Sequence, residues 1–76
     1  MNATALYTPK EIIRIVSARF GIGMGDIIGK SRSQSIFKAR KEAAKRLRSD
    51  CGLSYPEIGK VLRRDHSTVM RMVKGK

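Results

Sequence analysis

Apolar residues recur along this chain at helical spacing. Ile12, Ile13, Val16 and Phe20 share one side of a helix that opens at Thr8-Pro9-Lys10-Glu11. Thr8 can cap it, Pro9 suits its first turn, and Glu11 completes a capping box. Gly21 ends it. Met24 to Ile28 predicts one short turn of helix, with Ile27 and Ile28 as core anchors. Ser35 stands where it can cap a longer helix from Ile36 to Cys51. On that helix Ile36, Ala43, Leu47 and Cys51 share a face, with Ala39 and Ala44 at its edges. Lys38, Lys41, Lys45 and Arg48 lie opposite, and Gly52 stops the helix.

A second capping box, Ser54-Tyr55-Pro56-Glu57, opens a short helix with Ile58, Val61 and Leu62 inward. Gly59 sits inside it at a cost of ~1 kcal/mol relative to Ala. A close approach by a neighbouring helix would explain it. Arg63-Arg64 forms a turn and Asp65 caps a last helix. There Val69, Met72 and Val73 face the core, and His66, Ser67, Met70, Arg71 and Lys74 face away. The expected fold is all-α, a small domain of about five helices with an embedded helix-turn-helix. It spans residues 8–76, behind a loose arm at 1–7. A chain of 76 residues holds one small core, worth ~3–5 kcal/mol net.

Charge narrows the partner. Seventeen Lys and Arg against six Asp and Glu give a net charge of +11, densest between Lys30 and Arg48. Such a balance favours phosphate-rich partners: DNA, RNA or an anionic membrane surface. One cysteine, Cys51, cannot form an internal disulfide, and with His66 the sole histidine no zinc-ligand cluster forms. Cys51 at the apolar end of its helix is expected to be a small buried hydrophobe. No metal, cofactor or small-molecule substrate is expected. No apolar run approaches the ~20 residues of a membrane span, and the N-terminus lacks a signal-peptide pattern. The expected location is the cytoplasm, at the nucleoid.

Two catalytic readings fail on spacing. Gly21, Gly23, Gly25 and Gly29 suggest a phosphate-cradling loop. Gly23 and Gly29 are separated by five residues, Gly25-x3-Gly29-Lys30-Ser31 is one short, and no strand precedes them. Asp65-His66-Ser67 has the residue types of a hydrolytic triad, but neighbours on a helix diverge by roughly 100°. The other acids are scattered, so no convergent acid–base set forms and an enzyme is not expected.

The outward face of the last helix combines hydroxyl, imidazole, guanidinium and thioether groups, with no acid after Asp65. That chemistry suits base edges and phosphates in a major groove. Lys30-Ser31-Arg32-Ser33-Gln34-Ser35 is a polar, basic loop. Arg40 falls inside the apolar stripe of the long helix. It is either a snorkelling side chain or an arginine pinned by packing and aimed at a phosphate.

Ser54-Tyr55-Pro56-Glu57-Ile58-Gly59, then Arg64-Asp65-His66-Ser67-Thr68-Val69, resembles the signature of the C-terminal DNA-binding domain of the bacterial replication initiator DnaA. Ile12 to Phe20 resembles its first helix, Met24 to Ile28 its short helix, Lys30 to Ser35 its basic loop and Ile36 to Cys51 its long helix. The resemblance implies a domain that binds DnaA boxes as a monomer per site. It implies Asp65, His66 and Ser67 as major-groove base readers, Thr68 on a phosphate and Arg32 in the adjacent minor groove. It places Arg40 on the DNA backbone, with Tyr55 and Pro56 touching DNA at the start of the motif. The full set of expected backbone contacts is Lys30, Ser31, Ser33, Gln34, Arg40, Arg48, Ser54, Tyr55, Pro56, Arg64, Thr68 and Lys74. Arg71 stands where the family commonly has histidine; it can pair bidentately with guanine and joins the base readers.

The chain departs from the family pattern in several places. Leu62-Arg63-Arg64-Asp65 is one residue shorter than the usual turn and has no glycine. Ser67-Thr68 replaces Thr-Thr, and Gln34 stands where a second loop arginine is usual. These residues hold no counterpart of the initiator's ATPase domain. The expected function is sequence-selective binding of double-stranded DNA at DnaA-box-like sites, in or modulating replication initiation or transcription. The alternative is a non-specific RNA-binding or ribosome-associated module, disfavoured because Tyr7, Phe20, Phe37 and Tyr55 form no stacking platform. A membrane-active helix at Ile36–Cys51 is disfavoured by its alanine-rich face. Protein partners are not specified, and a monomer is the default.

Overall fold

The computed structural model describes residues 7–29 and 33–75. Residues 1–6 of the expected arm and the centre of the basic loop, Lys30, Ser31 and Arg32, lie outside them. Five helices follow in order: α1 (Pro9–Phe20), α2 (Met24–Ile28), α3 (Gln34–Ser49), α4 (Tyr55–Leu62) and α5 (His66–Lys74).

Local chemistry sets most of the boundaries. At α1 the Thr8 Oγ1 accepts from the Glu11 N–H at 3.2 Å, and the Glu11 Oε1 accepts from the Thr8 N–H at 2.8 Å. The helix closes on Gly21, whose φ of 66° lets Ile22 N–H reach back to Ser17 O at 2.9 Å. At α4 the same reciprocal box joins Ser54 and Glu57 at 2.8 and 3.3 Å. Asp65 caps α5 by accepting from the Ser67 N–H at 2.9 Å.

The long helix differs from its sequence expectation at both ends. It starts at Gln34, with Ser33 as N-cap; the Ser33 carbonyl accepts the first helical bond, from Phe37 N–H at 2.9 Å. Ser35 therefore lies inside the first turn, its hydroxyl 3.1 Å from that of Ser33. The helix ends at Ser49 rather than Cys51. Gly52, at φ 68°, turns the chain so that Leu53 N–H bonds back to Leu47 O.

The core is the meeting of all five helices: Ile12, Ile13, Val16, Ile27, Leu47, Ile58, Leu62 and Val69 are fully buried, and Ala39, Ala43 and Ala44 let neighbours approach α3 closely. Cys51 is buried, as expected. Burial first, then the charges of Asp50 and Glu11, push its thiol above the ordinary range. Ile28 and Ile36 are only half-buried. Phe20 is an exposed ring in the last turn of α1, not a core residue. Helix α3 packs on each of the other four, so it is the spine on which α4 and α5 sit. Among the described residues, no helix is long and apolar enough to cross a membrane.

Candidate nucleic-acid interface

Helices α4 and α5 pack on each other across the turn Arg63–Asp65, and α5 also packs on α3. Val69 and Met72 bury the inner side of α5. His66, Ser67, Thr68, Arg71 and Lys74 are exposed on the other. This is the division a recognition helix requires: an apolar side that fixes the element and a polar side left free.

The turn explains Gly59. A Cβ there would lie 2.5 Å from the Arg64 carbonyl oxygen. The nearest neighbour is thus the motif's own turn, with the start of α5 just behind it, where His66 N would lie 3.6 Å away. Arg64 N–H donates back to Gly59 O at 2.9 Å. Without glycine, the tight reversal falls to Arg63, at φ 56° and ψ 47°, a left-handed conformation that costs a non-glycine residue ~1–2 kcal/mol.

Asp65 combines two tasks. Its Oδ2 holds the Ser67 N–H, while Oδ1 stays exposed, 4.0 Å from His66 Nδ1. The hydrogen bond from the Ser67 backbone, aided by the His66 side chain and the Thr68 backbone, lowers its carboxyl from the usual range. It therefore presents an ionised acceptor beside the imidazole and the Ser67 hydroxyl.

Two cationic surfaces flank α5. At the start of α4, the Arg48 guanidinium lies 4.7 Å from the centre of the Tyr55 ring, and the Lys74 ammonium 5.8 Å from it. Arg48 also donates to Leu53 O at 2.9 Å. Tyr55 is half-buried, while Pro56 is exposed beside it. The structure thus brings Arg48 and Lys74 together at Tyr55, with Pro56 next to it in the chain; the adjacent Ser54 hydroxyl is engaged as the α4 cap. Between α3 and α5, Phe37, Lys41, Thr68, Arg71 and Met72 line a groove of about 220 Å³. Phe37 and Lys41 were absent from the sequence-derived site. The helical wheel had already placed Lys41 on the basic side; Phe37, 46% exposed, gave no such signal. Ser33 and Gln34, at the end of the basic loop, are exposed at the start of α3.

Arg40 does not snorkel. It is 4% exposed, and its Nε donates to Ile27 O at 2.7 Å while Nη2 donates to Asp26 O and Gly29 O, both at 3.1 Å. Burial, then the nearby Arg64 charge, lowers its guanidinium from the ordinary range. Arg64 reaches the same place from the turn. Its Nη1 donates to Ile28 O at 3.3 Å, and its Nη2 to Gly29 O.

A helical pair with one buried and one exposed, cation-rich side, joined by a short turn and backed by a third helix, defines a helix-turn-helix domain of the DNA-binding class. The sequence profile described as the bacterial dnaA protein helix-turn-helix matches residues 9–75; the chain belongs to this family. It is 39% identical over 67 residues to chromosomal replication initiator protein DnaA 1 of Chlamydia pneumoniae, covering 88% of this chain and 15% of that protein. To DnaA 2 of Protochlamydia amoebophila it is 37% identical over the same shares. To DnaA of Clavibacter sepedonicus it is 41% identical over 63 residues, 82% of this chain and 13% of the relative. The matched region thus spans 13 to 15% of these relatives' length. No solved structure gives a significant match.

Proposed function

We propose that the chain is a sequence-selective reader of double-stranded DNA at DnaA-box-like sites, acting in or modulating replication initiation or transcription. The carrying observation is the outer face of α5, where His66, Ser67, Thr68, Arg71 and Lys74 are exposed while Val69 and Met72 fix the helix from behind. His66 can donate to a base and rest its ring on a thymine methyl. The exposed Asp65 carboxylate can accept from a cytosine amino group, and Arg71 can fork onto guanine. Thr68, with Lys41 across the groove, suits one strand's phosphates. Arg48 and Lys74 around Tyr55, with Pro56 beside them, suit the other. Arg32, with Lys30, Ser31, Ser33 and Gln34 around it, is assigned to the adjacent minor groove, where narrow A·T tracts concentrate negative potential.

The test is fluorescence anisotropy with a DnaA-box duplex and a scrambled duplex across a salt series. Box preference is expected, with a salt slope of ~0.9 per phosphate contacted. His66→Ala is expected to abolish most of the preference and leave the affinity for scrambled DNA in place. Equal wild-type binding to both duplexes, or preference for structured RNA in competition, overturns the proposal.

A further inference from the structure

The five residues of α2 leave a run of carbonyls that no further turn can satisfy. Asp26 O, Ile27 O, Ile28 O and Gly29 O each receive a guanidinium proton instead, the first two from Arg40, the third from Arg64 and the last from both. Arg40 comes from the middle of α3. Arg64 comes from the turn, where its Nη1 also bonds Leu62 O at 3.3 Å and Arg63 O at 3.0 Å. One side chain thus ties the reversal between α4 and α5 to the carbonyl end of α2. The next residue, Asp65, is the cap of α5.

This turn has particular need of an anchor. It is built on a left-handed arginine rather than glycine. Its Arg64 carbonyl lies against Gly59, which limits how it can move toward α4. Two like charges converging on one carbonyl repel. The fork geometry of guanidinium, with donors spread in a plane, allows both to be held at hydrogen-bonding distance where an ammonium would reach fewer acceptors.

We propose that Arg40 and Arg64 form a clamp on the carbonyl end of α2, and that Arg64 is thereby the positioning residue of the recognition helix α5 rather than a contact to DNA. The proposal rests on α5 being the base reader. It separates Arg64 from Arg48 and Lys74, whose charge is offered outward.

Arg64→Lys keeps the charge and removes the fork. On the box and scrambled duplexes across a salt series, it is expected to lower box preference about tenfold, as for one misplaced base contact. Affinity for scrambled DNA should stay within about twofold, and the salt slope should not change. In a His66→Ala background the same substitution should add no further loss of preference. In Arg64→Gln, which removes the charge, a uniform loss on both duplexes with a slope lower by ~0.9 makes Arg64 a phosphate contact and overturns the proposal. Full preference in Arg64→Lys, or an independent further loss on top of His66→Ala, overturns it as well.

A DNA-free arm tests the clamp itself. The thermal midpoints of Arg40→Lys, Arg64→Lys and the double variant should show a combined loss smaller than the sum, because the first substitution already loosens the shared acceptor. Strict additivity overturns the clamp. If the wild type shows no box preference, the box proposal fails alone; the Arg64→Lys comparison is then made on the duplex that the wild type selects from a random library, with the same outcomes.

Discussion

Helix α4 and helix α2 are both short, yet they are completed in opposite ways. The eight residues of α4 begin with a capping box, carry proline in the first turn and end on a reversal that bonds back to Gly59. Those partners lie within five residues of one another. The five residues of α2 also have a near partner at the start, where Asp26 accepts from Gly23 N–H at 3.3 Å. Their carbonyl end is closed by Arg40 and Arg64, between 11 and 36 residues away. A helix written in its own sequence is legible there. The bounds of α2, Met24 and Ile28, are legible in sequence as well, but the arginines that close its carbonyl end arrive only from elsewhere in the fold.

The largest expected effect falls on the clamp. Arg40→Met keeps the apolar stem and removes the donors, leaving Asp26 and Ile27 carbonyls without their protein partners. A loss of about 3 kcal/mol is expected by urea denaturation, most of what a domain of this size possesses. A loss below about 1 kcal/mol, no more than an ordinary solvent-replaced hydrogen bond, would erase the contrast between α2 and α4. Next comes Ser54→Ala, which removes one local cap and is expected to cost about 1 kcal/mol by the same measurement. A cost equal to that of Arg40→Met would mean that α4 depends on its cap as heavily as α2 on its clamp.

The smallest effect is a pH dependence confined to the locally capped region. Hydrogen bonds from Ser54, backbone first, lower the Glu57 carboxyl, and those from Ser67 lower that of Asp65. A carboxyl lowered in the folded state stabilises above its unfolded pKa, and that contribution is lost as pH falls through the lower, folded value. Acid titration followed by circular dichroism should therefore show stability declining below the ordinary carboxylate range. The decline should be shallower in Glu57→Gln.

The same distinction governs what the sequence made visible. Thr8 with Glu11, Ser54 with Glu57, and Asp65 before His66 are pairs within three residues, and each predicted its helix start correctly. Ser33 and Ser35 are equivalent by composition, and nothing in the local sequence favours Ser33, where the helix is capped. The core side of α5 followed from the spacing of Val69 and Met72. Gly59 was recognised as a close approach, but its neighbour is a carbonyl that only the folded turn brings near. Arg40 stood out inside an apolar stripe, yet its partners belong to α2, and no periodicity connects the two. Phe37 and Lys41 join Thr68 and Arg71 only because α5 packs across α3. Of the base-reading candidates, Asp65, His66 and Ser67 were legible as one run, whereas the Arg48, Tyr55 and Lys74 cluster is a product of packing.

The reach of Arg64 to Gly29 has a consequence in time. Bonds within α4, the turn and α5 close over a few residues, and contacts of that range form on the scale of ~1 μs. The Arg64 bond to Gly29 closes over 35 residues, and the entropy of closing a loop grows with its length. The two helices of the motif are therefore expected to find each other first, and the orientation of the pair to be set last, when the short helix docks and its carbonyls are captured.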